Sequence, residues 1–490
     1  MSIHTRSIVL VFFSIVTGLC QLSCRKMIAV PEPLTSITTS EVFISDAQAS
    51  TAMAAVYTLM INGNGQLSFS NGYVTLLGGM SSDELFYYGQ GDLDILAFSP
   101  NKLLYTNSYT PTVWASAYKT IYGANSVIEG VAASTSNTLT DSARKELTGE
   151  AKFVRAFSYF YLVNLFGDVP LALTVDFNKT RYMARTAVDK VYQQIIQDLK
   201  DAQSLLPADY SAAVNQERIL PNRWAATALL ARAYLYTGDY ANAAAQATAV
   251  INNPALYSLV PDPKNVFLIN SKEAIWQLKQ GTQIAGFNNA VAEASIIIPS
   301  PLKTGVTHYC LAPPLLNAFE PGDLRRSAWT DTTNNSYPNI PSPALNYFPY
   351  KYRLGQGSSS YGAASSEYYM VLRLAEVYLI RAEAEANGAT GGTAAAVSDL
   401  NLIRSRAGLT GLSSSLLQPQ VVAAVARERQ VELFAEWGHR WLDLKRTGQA
   451  HNVLSAIASK QPWTGDYQLL YPIPPIEIQS DHFLVQNTGY

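Results

Sequence analysis

The stretch WAATALLARAYLYTGDYANAAAQATAV, residues 224–250, decides the fold. Alanine and leucine, strong helix formers, fill both halves, and Gly238-Asp239 stands between them. Such a pair marks a turn. The pattern predicts one helix over Asn222–Thr237, a two-residue turn, and a second helix over Tyr240–Ile251. The alanines leave little side chain between the two, so their backbones can approach closely.

This hairpin is similar to half of a tetratricopeptide unit, in which helix pairs stack into a superhelix. More helices flank it. Residues 41–62 place Ala49, Ala52, Val56 and Leu59 on one side, and Trp114–Val131 spaces Tyr118, Ile121 and Tyr122 for burial. Thr140 can cap a helix that runs to Phe166, with Gly167 and Pro170 as its stop. Thr186-x-x-Asp189 resembles a capping box opening the stripe Val188, Val191, Ile195, Leu199 and Ala202. Val371–Asn387 and Thr393–Ala407, closed by Gly388 and Gly408, form a further pair. The hairpins are unevenly spaced, so the solenoid is degenerate and interrupted.

The interruption is residues 282–366, where nine of the 24 prolines fall between Pro299 and Pro349. Alternation in Ala274–Leu278 and Ser295–Ile298 predicts short strands. A long irregular insertion on a rigid scaffold is a usual home for a binding surface. The expected fold class is therefore mainly α. A tetratricopeptide-like superhelix (about 41–270 and 367–450) carries an irregular insertion with minor β-hairpins, all within one domain over 41–490.

Glu428–Gly448, ERQVELFAEWGHRWLDLKRTG, mixes Glu428, Glu432, Glu436 and Asp443 with bases and tryptophans. Glu428, Glu432, Glu436 and Arg440 step by four, which puts them on one helical face. Two carboxylates can act as acid and base in glycoside hydrolysis if one has a raised pKa. Bases such as Arg429 and Arg440 would instead keep both ionised. An ion-pair lattice of Glu428, Arg429, Glu432, Glu436, Arg440 and Asp443 held against an apolar wall is the preferred reading. Gly438 marks a break before a second short helix bearing Trp441, Leu442 and Leu444.

The N-terminus has a short basic region with Arg6, then an apolar run from Ile8 to Leu19. That run is short for a membrane span and reads as a secretory signal over residues 1–23. Gln21-Leu22-Ser23-Cys24 resembles a lipoprotein cleavage site, although an aliphatic residue is usual at Gln21 and Arg25-Lys26 follows. Cys24 would become the acylated first residue, with 24–40 as a tether. Ordinary cleavage to a soluble protein is the alternative.

Net charge is -2 over 490 residues, so no electrostatic footprint for nucleic acid exists. Charged residues are 15% while tyrosines number 29, a balance suited to neutral polar ligands such as sugars or peptides. With three cysteines and five histidines, no disulfide framework or zinc spacing can be built.

Fragments in order along the chain carry a resemblance to a known family. They are Ser82-Asp83-Glu84 with Trp114-x-x-x-Tyr118; GEAKFVRAFSYFYLVNLFGDVPL at 149–171; ALLARAYLYTGDY at 228–240; and Asp323-Leu324-Arg325. LRLAEVYLIRAEAEA at 372–386, LNLIRSRAGL at 400–409, YPIPPIEI at 471–478 and the terminal QNTGY at 486–490 complete the series. Together with the Cys24 region, the chain resembles the SusD/RagB outer-membrane nutrient-binding lipoproteins. The resemblance implies a lipid-anchored cell-surface protein that caps a SusC-like TonB-dependent transporter and captures glycans or, in some members, peptides. It implies no catalysis; no cofactor is expected, and the sequence holds no metal motif.

Ligand residues do not carry over, so candidates come from aromatics near polar groups. They are Tyr87, Tyr88, Tyr105 and Tyr109 with Asn101, and Trp329, Tyr337 and Tyr350 with Arg325; Phe86 and Asn107 lie beside them. If Trp329 is a sugar platform, its truncation should cost binding roughly 1 kcal/mol. A protein-interaction scaffold and a helical glycosidase are the competing classes.

Overall fold

The computed structural model describes residues 39–334 and 346–490. The signal and tether calls, including Cys24, and the candidate Tyr337 lie outside those residues. Helix dominates, with three two-stranded antiparallel ribbons among the described residues.

Ser45 caps α1 (Asp46–Asn62), accepting from the Gln48 amide, so the expected 41–62 helix is split by this cap. A buried helix not read from the sequence, α2 (Val74–Ser81), follows, then β1 (Leu85–Tyr87). Next come α3 (Thr110–Ala133) and α4 (Asp141–Phe166), the latter capped by Thr140 as expected. Arg155 of α4 reaches Asp198 of α5 (Val188–Leu205) at 2.7 Å and donates to Asn125 of α3 at 2.8 Å. One guanidinium thus ties three helices.

The expected capping box at Thr186 is absent. Ala187 holds the cap position of α5 with no side-chain bond, because the Thr186 backbone exchanges both hydrogen bonds with Val169. Asp168 caps from a distance, accepting from the Val188 amide at 3.0 Å.

The deciding hairpin forms as read: α6 (Arg223–Tyr236), capped by Asn222, and α7 (Tyr240–Ile251), capped by Asp239. The chain then leaves the helical layer through β2 (Ala274–Leu278), α8 (Ala292–Ile297), β3 (Tyr309–Leu311), α9 (Pro313–Ala318) and α10 (Leu324–Trp329). It returns through β4 (Thr330–Thr333), β5 (Asn346–Pro349) and β6 (Tyr369–Arg373). The insertion is thus well furnished with short elements. Ser295–Ile298 is not a strand: three of its four residues end α8, whose Glu293 takes a hydrogen bond from Tyr369. Four alternating residues are too few to separate the two periods. Likewise Val371–Arg373 belongs to β6, paired with β2, so the following helix starts at Leu374.

That helix, α11 (Leu374–Ala386), packs on α7 across the whole insertion and on α12 (Gly392–Arg406) and α13 (Gln418–Glu432). The stack α3–α4–α5–α6–α7–α11–α12 is the interrupted superhelix that the hairpin spacing predicts. Glu432 ends α13; Leu433 to Gly438 are irregular, and α14 (His439–Arg446) follows. The break comes earlier than Gly438 alone suggests, because Ala435 and Trp437 also take positive φ, both 49°.

Gly438 (φ 65°) lies against α2: a Cβ there would meet the Val74 carbonyl oxygen at 2.9 Å. Gly438→Ala should therefore lower stability by about 2 kcal/mol or more, read as a fall in the urea midpoint. An unchanged midpoint would show that α2 moves aside freely.

Burial pushes the Glu150 carboxyl on α4 up to about 8, with the Tyr57 hydroxyl as its donor at 2.5 Å. The folded state therefore holds a proton that the unfolded chain gives up above its ordinary value near 4.5, and stability contributed by this group falls as pH rises from there to 8. Denaturation of Glu150→Gln at pH 5.5 and 8.5 should show a smaller fall than the wild type. An equal fall in both would assign the dependence elsewhere.

Candidate functional site

The carboxylates that suggested chemistry form a closed lattice. Glu432, 0% exposed, accepts from Arg325 (2.9 Å), Arg373 (2.6 Å) and Arg406. Glu428 takes Arg325 at 2.5 Å, and Glu436 takes Arg373 at 2.8 Å and Lys351. Glu273 receives Arg406 at 2.5 Å, and Asp323 receives Arg325 at 2.8 Å. Five carboxylates thus face Arg325, Lys351, Arg373 and Arg406, and Arg404 adds a longer contact to Glu428 at 3.5 Å while pairing with Glu320 at 2.7 Å.

Burial alone would raise the Glu432 carboxyl, but Arg406, Arg373 and Arg325 hold it well below the usual range. Glu436 is lowered too, against burial, by Arg373 and Lys351. Neither can serve as a general acid at neutral pH.

The neutralising bases are not those expected. Arg429 pairs with Asp443 (2.7 Å) and Arg440 with Asp83 (2.7 Å), forming separate bridges on the flank. Glu432 and Glu436 draw instead on Arg325, Lys351, Arg373 and Arg406, remote in sequence. Glu436 lies beyond α13, so helical stepping does not place it; the irregular turn does.

Several ligand candidates are structural. Trp329 is 0% exposed: its indole donates to the Pro263 carbonyl at 2.8 Å, and Lys351 Nζ lies 4.6 Å from its ring centroid. It roofs the lattice and cannot be a sugar platform. Arg325, 1% exposed, is spent on Asp323, Glu428 and Glu432. Asn101 is buried, donating to the Ser81 carbonyl and accepting from Lys460 at 2.7 Å. Asn107 is buried and donates to the Asp94 carbonyl at 2.8 Å. Tyr88 is buried, with Phe86 edge-on to it at 6.4 Å. Tyr350 is half-buried with Arg353 stacked 4.3 Å above its ring.

The remaining candidates come together. Tyr87, at the end of β1, stacks on His308 (5.4 Å, 16°) and meets Tyr309 edge-on at 5.3 Å. Tyr109 lies edge-on to Tyr73 at 5.6 Å and donates to Asp92. Burial raises the Tyr309 phenol, and the neighbouring Tyr87, Tyr73 and Asp92 raise it further, so the two groups form one patch. Tyr105, 53% exposed, precedes Tyr109 in the same loop. The β1–β3 pairing, Leu85 with Leu311 through Tyr87 with Tyr309, builds the patch from segments far apart in sequence. Tyr73, Asp92, His308 and Tyr309 were not singled out from the sequence, where no spacing joins them. Cys310 on β3 is buried, which pushes its thiol up to about 12 and leaves it unreactive. Among the described residues no cluster of His, Cys, Asp and Glu could hold a metal ion, and no helix is long and apolar enough to cross a membrane.

Removing one partner of the lattice strands a buried charge, so Glu432→Ala should cost about 3–5 kcal/mol in chemical denaturation. Trp329→Ala should likewise cost about 3–5 kcal/mol in stability, leaving ligand affinity of the folded fraction unchanged. A stable Glu432→Ala protein lacking only ligand binding would contradict the structural role.

Two family models match the chain: "Starch-binding associating with outer membrane" over residues 44–235 and "SusD family" over 325–490. SusD-like protein P2 of Formosa agariphila is 30% identical over 424 residues, 78% of this chain and 81% of that protein. A solved laminarin-binding SusD-like protein superposes with a TM-score of 0.73 at 26% identity, covering 91% of this chain and all of the other. Surface glycan-binding protein A from Bacteroides fluxus gives 0.75 at 23% identity over 91% of this chain and all of that one. With its helical stack, interrupting insertion and ordered fragments, the chain belongs to the SusD family.

Proposed function

We propose that the protein is a non-catalytic glycan-capture component of the outer-membrane surface. The half-buried aromatic patch Tyr73, Tyr87 and Tyr109, with His308 and Asp92 at its edge and the exposed Tyr105 in the adjoining loop, carries this reading. Partly exposed rings suit the apolar faces of sugars, while Asp92 supplies an acceptor for hydroxyls. The laminarin-binding relative supports a polysaccharide as the ligand class. The lattice supports the non-catalytic part, since Glu432 and Glu436 are both held ionised by buried cations.

In this reading residues 1–23 direct export, acylated Cys24 anchors the chain, and the captured glycan passes to a SusC-like TonB-dependent transporter. Mass spectrometry of the mature protein should find lipid on Cys24. An unmodified residue at the mature N-terminus would remove the anchor from the proposal.

Calorimetry with laminarin, starch oligosaccharides and peptides should reveal a glycan ligand. Tyr87→Ala with Tyr105→Ala should weaken it by about 1 kcal/mol per lost contact, roughly fivefold each. Wild-type affinity in the double variant would move the site off this patch.

A further inference from the structure

Lys460 is buried, 3% exposed, and its ammonium group sits in a cage of four neutral oxygens. It donates to the carbonyls of Met80 (3.0 Å), Ser81 (3.1 Å) and Ser99 (2.6 Å) and to Asn101 Oδ1 (2.7 Å). An ammonium has three protons and no acceptor, so these oxygens satisfy it fully and favour its charged form. Burial works the other way and pushes the group down to about 7, against the pull of Asp83.

The partners fall on two segments that carry the rings of the patch. Met80 and Ser81 end α2, where the last carbonyls lack amide partners inside the helix and bear its partial negative charge. Tyr73 stands at the start of α2, and Tyr87 ends β1, which follows it. Ser99 and Asn101 open the loop that leads to Tyr105 and Tyr109. Phe98, next in the chain to Ser99, meets Tyr109 edge-on at 6.3 Å. Asn101 holds a positive φ of 56°, donates to the Ser81 carbonyl at 3.0 Å and accepts from Gln468 on its own carbonyl at 2.6 Å. Two side chains therefore join the segments, and Lys460 brings a charge to the junction from a third, C-terminal part of the chain.

We infer that Lys460 is a positioning residue for the aromatic patch: its ammonium clamps the end of α2 to the loop bearing Tyr105 and Tyr109, and so presets the rings that a ligand meets. A preset loop spares the ligand the entropy of ordering it. The clamp is a property of the free protein, whereas its effect on capture rests on the glycan reading of the patch.

The test uses the mature chain at pH 6 and the variant Lys460→Ala, which leaves the cage without its cation. Hydrogen exchange read by mass spectrometry should quicken about tenfold or more in peptides covering 97–109, with those of α4 and α6 unchanged. n-Propylammonium chloride, which supplies the atoms deleted from the side chain, should restore slow exchange. Tetramethylammonium chloride has no N–H to donate and should not. Laminarin should bind Lys460→Ala about tenfold more weakly, as when the competent loop is populated a tenth of the time, and n-propylammonium should recover the affinity. Asn101→Gly keeps the positive φ and removes one acceptor. It should quicken the same peptides with no response to n-propylammonium, an independent reading should Lys460→Ala fold poorly. Unchanged exchange over 97–109, an equal rise in α4 and α6, or equal responses to the two cations would overturn the clamp. Wild-type laminarin affinity in a variant whose loop has loosened would overturn the positioning role. A wild type that binds no glycan would count against the proposed function instead, and the exchange data alone would then decide the clamp.

Discussion

A carboxylate with no access to water must be surrounded by cations or give up its charge. Glu432 keeps its charge, and the guanidinium groups that permit this come from α10, β6 and α12. Each cation also serves a second anion: Arg325 serves Asp323 and Glu428, Arg373 serves Glu436, and Arg406 serves Glu273. The network therefore fixes the insertion, the ribbon β2–β6 and two scaffold helices relative to one another. Desolvating these ions is expensive, so the lattice contributes less to net stability than to a single arrangement of parts. That arrangement is what the rest of the molecule depends on.

The aromatic residues divide along the same line. Trp329 and Phe434 lie over Lys351 and are consumed in covering it, at 4.6 and 4.2 Å. Tyr87 ends β1 stacked on His308, and Tyr105 is 53% exposed in the loop before α3. Cation cover and ligand platform are rival uses of an aromatic ring, and position relative to the lattice decides between them.

A cap and a stripe together made the helix after Thr140 readable, and a turn between two alanine-rich runs made the hairpin at Gly238-Asp239 readable. Reading failed where a distant partner intervened: Thr186 was claimed by Val169, and Val371–Arg373 by β2. The lattice was legible as a set of charges but not as pairs, because spacing along α13 says nothing of Arg373 or Arg406. The same limit applies to the patch. Tyr87 and Tyr109 could be named from local composition, whereas His308 and Tyr309 join them only through strand pairing. Trp329 and Arg325 were misread because exposure depends on the fold, and a tryptophan beside an arginine looks the same in a platform and in a core.

The lattice also sets an order of events. Its central anions, Glu428, Glu432 and Glu436, lie in the last tenth or so of the fold to be synthesised before the C-terminal loops, whereas Glu273, Arg325, Lys351 and Arg373 are made earlier. Until the late segment arrives, those earlier cations lack their central counter-ions and remain better solvated than buried. The helical layer around α4 and α6 can assemble in the meantime through local hairpin contacts, but the insertion cannot close. Closure of the insertion over these buried charges thus requires the segment bearing Glu432 to be in place.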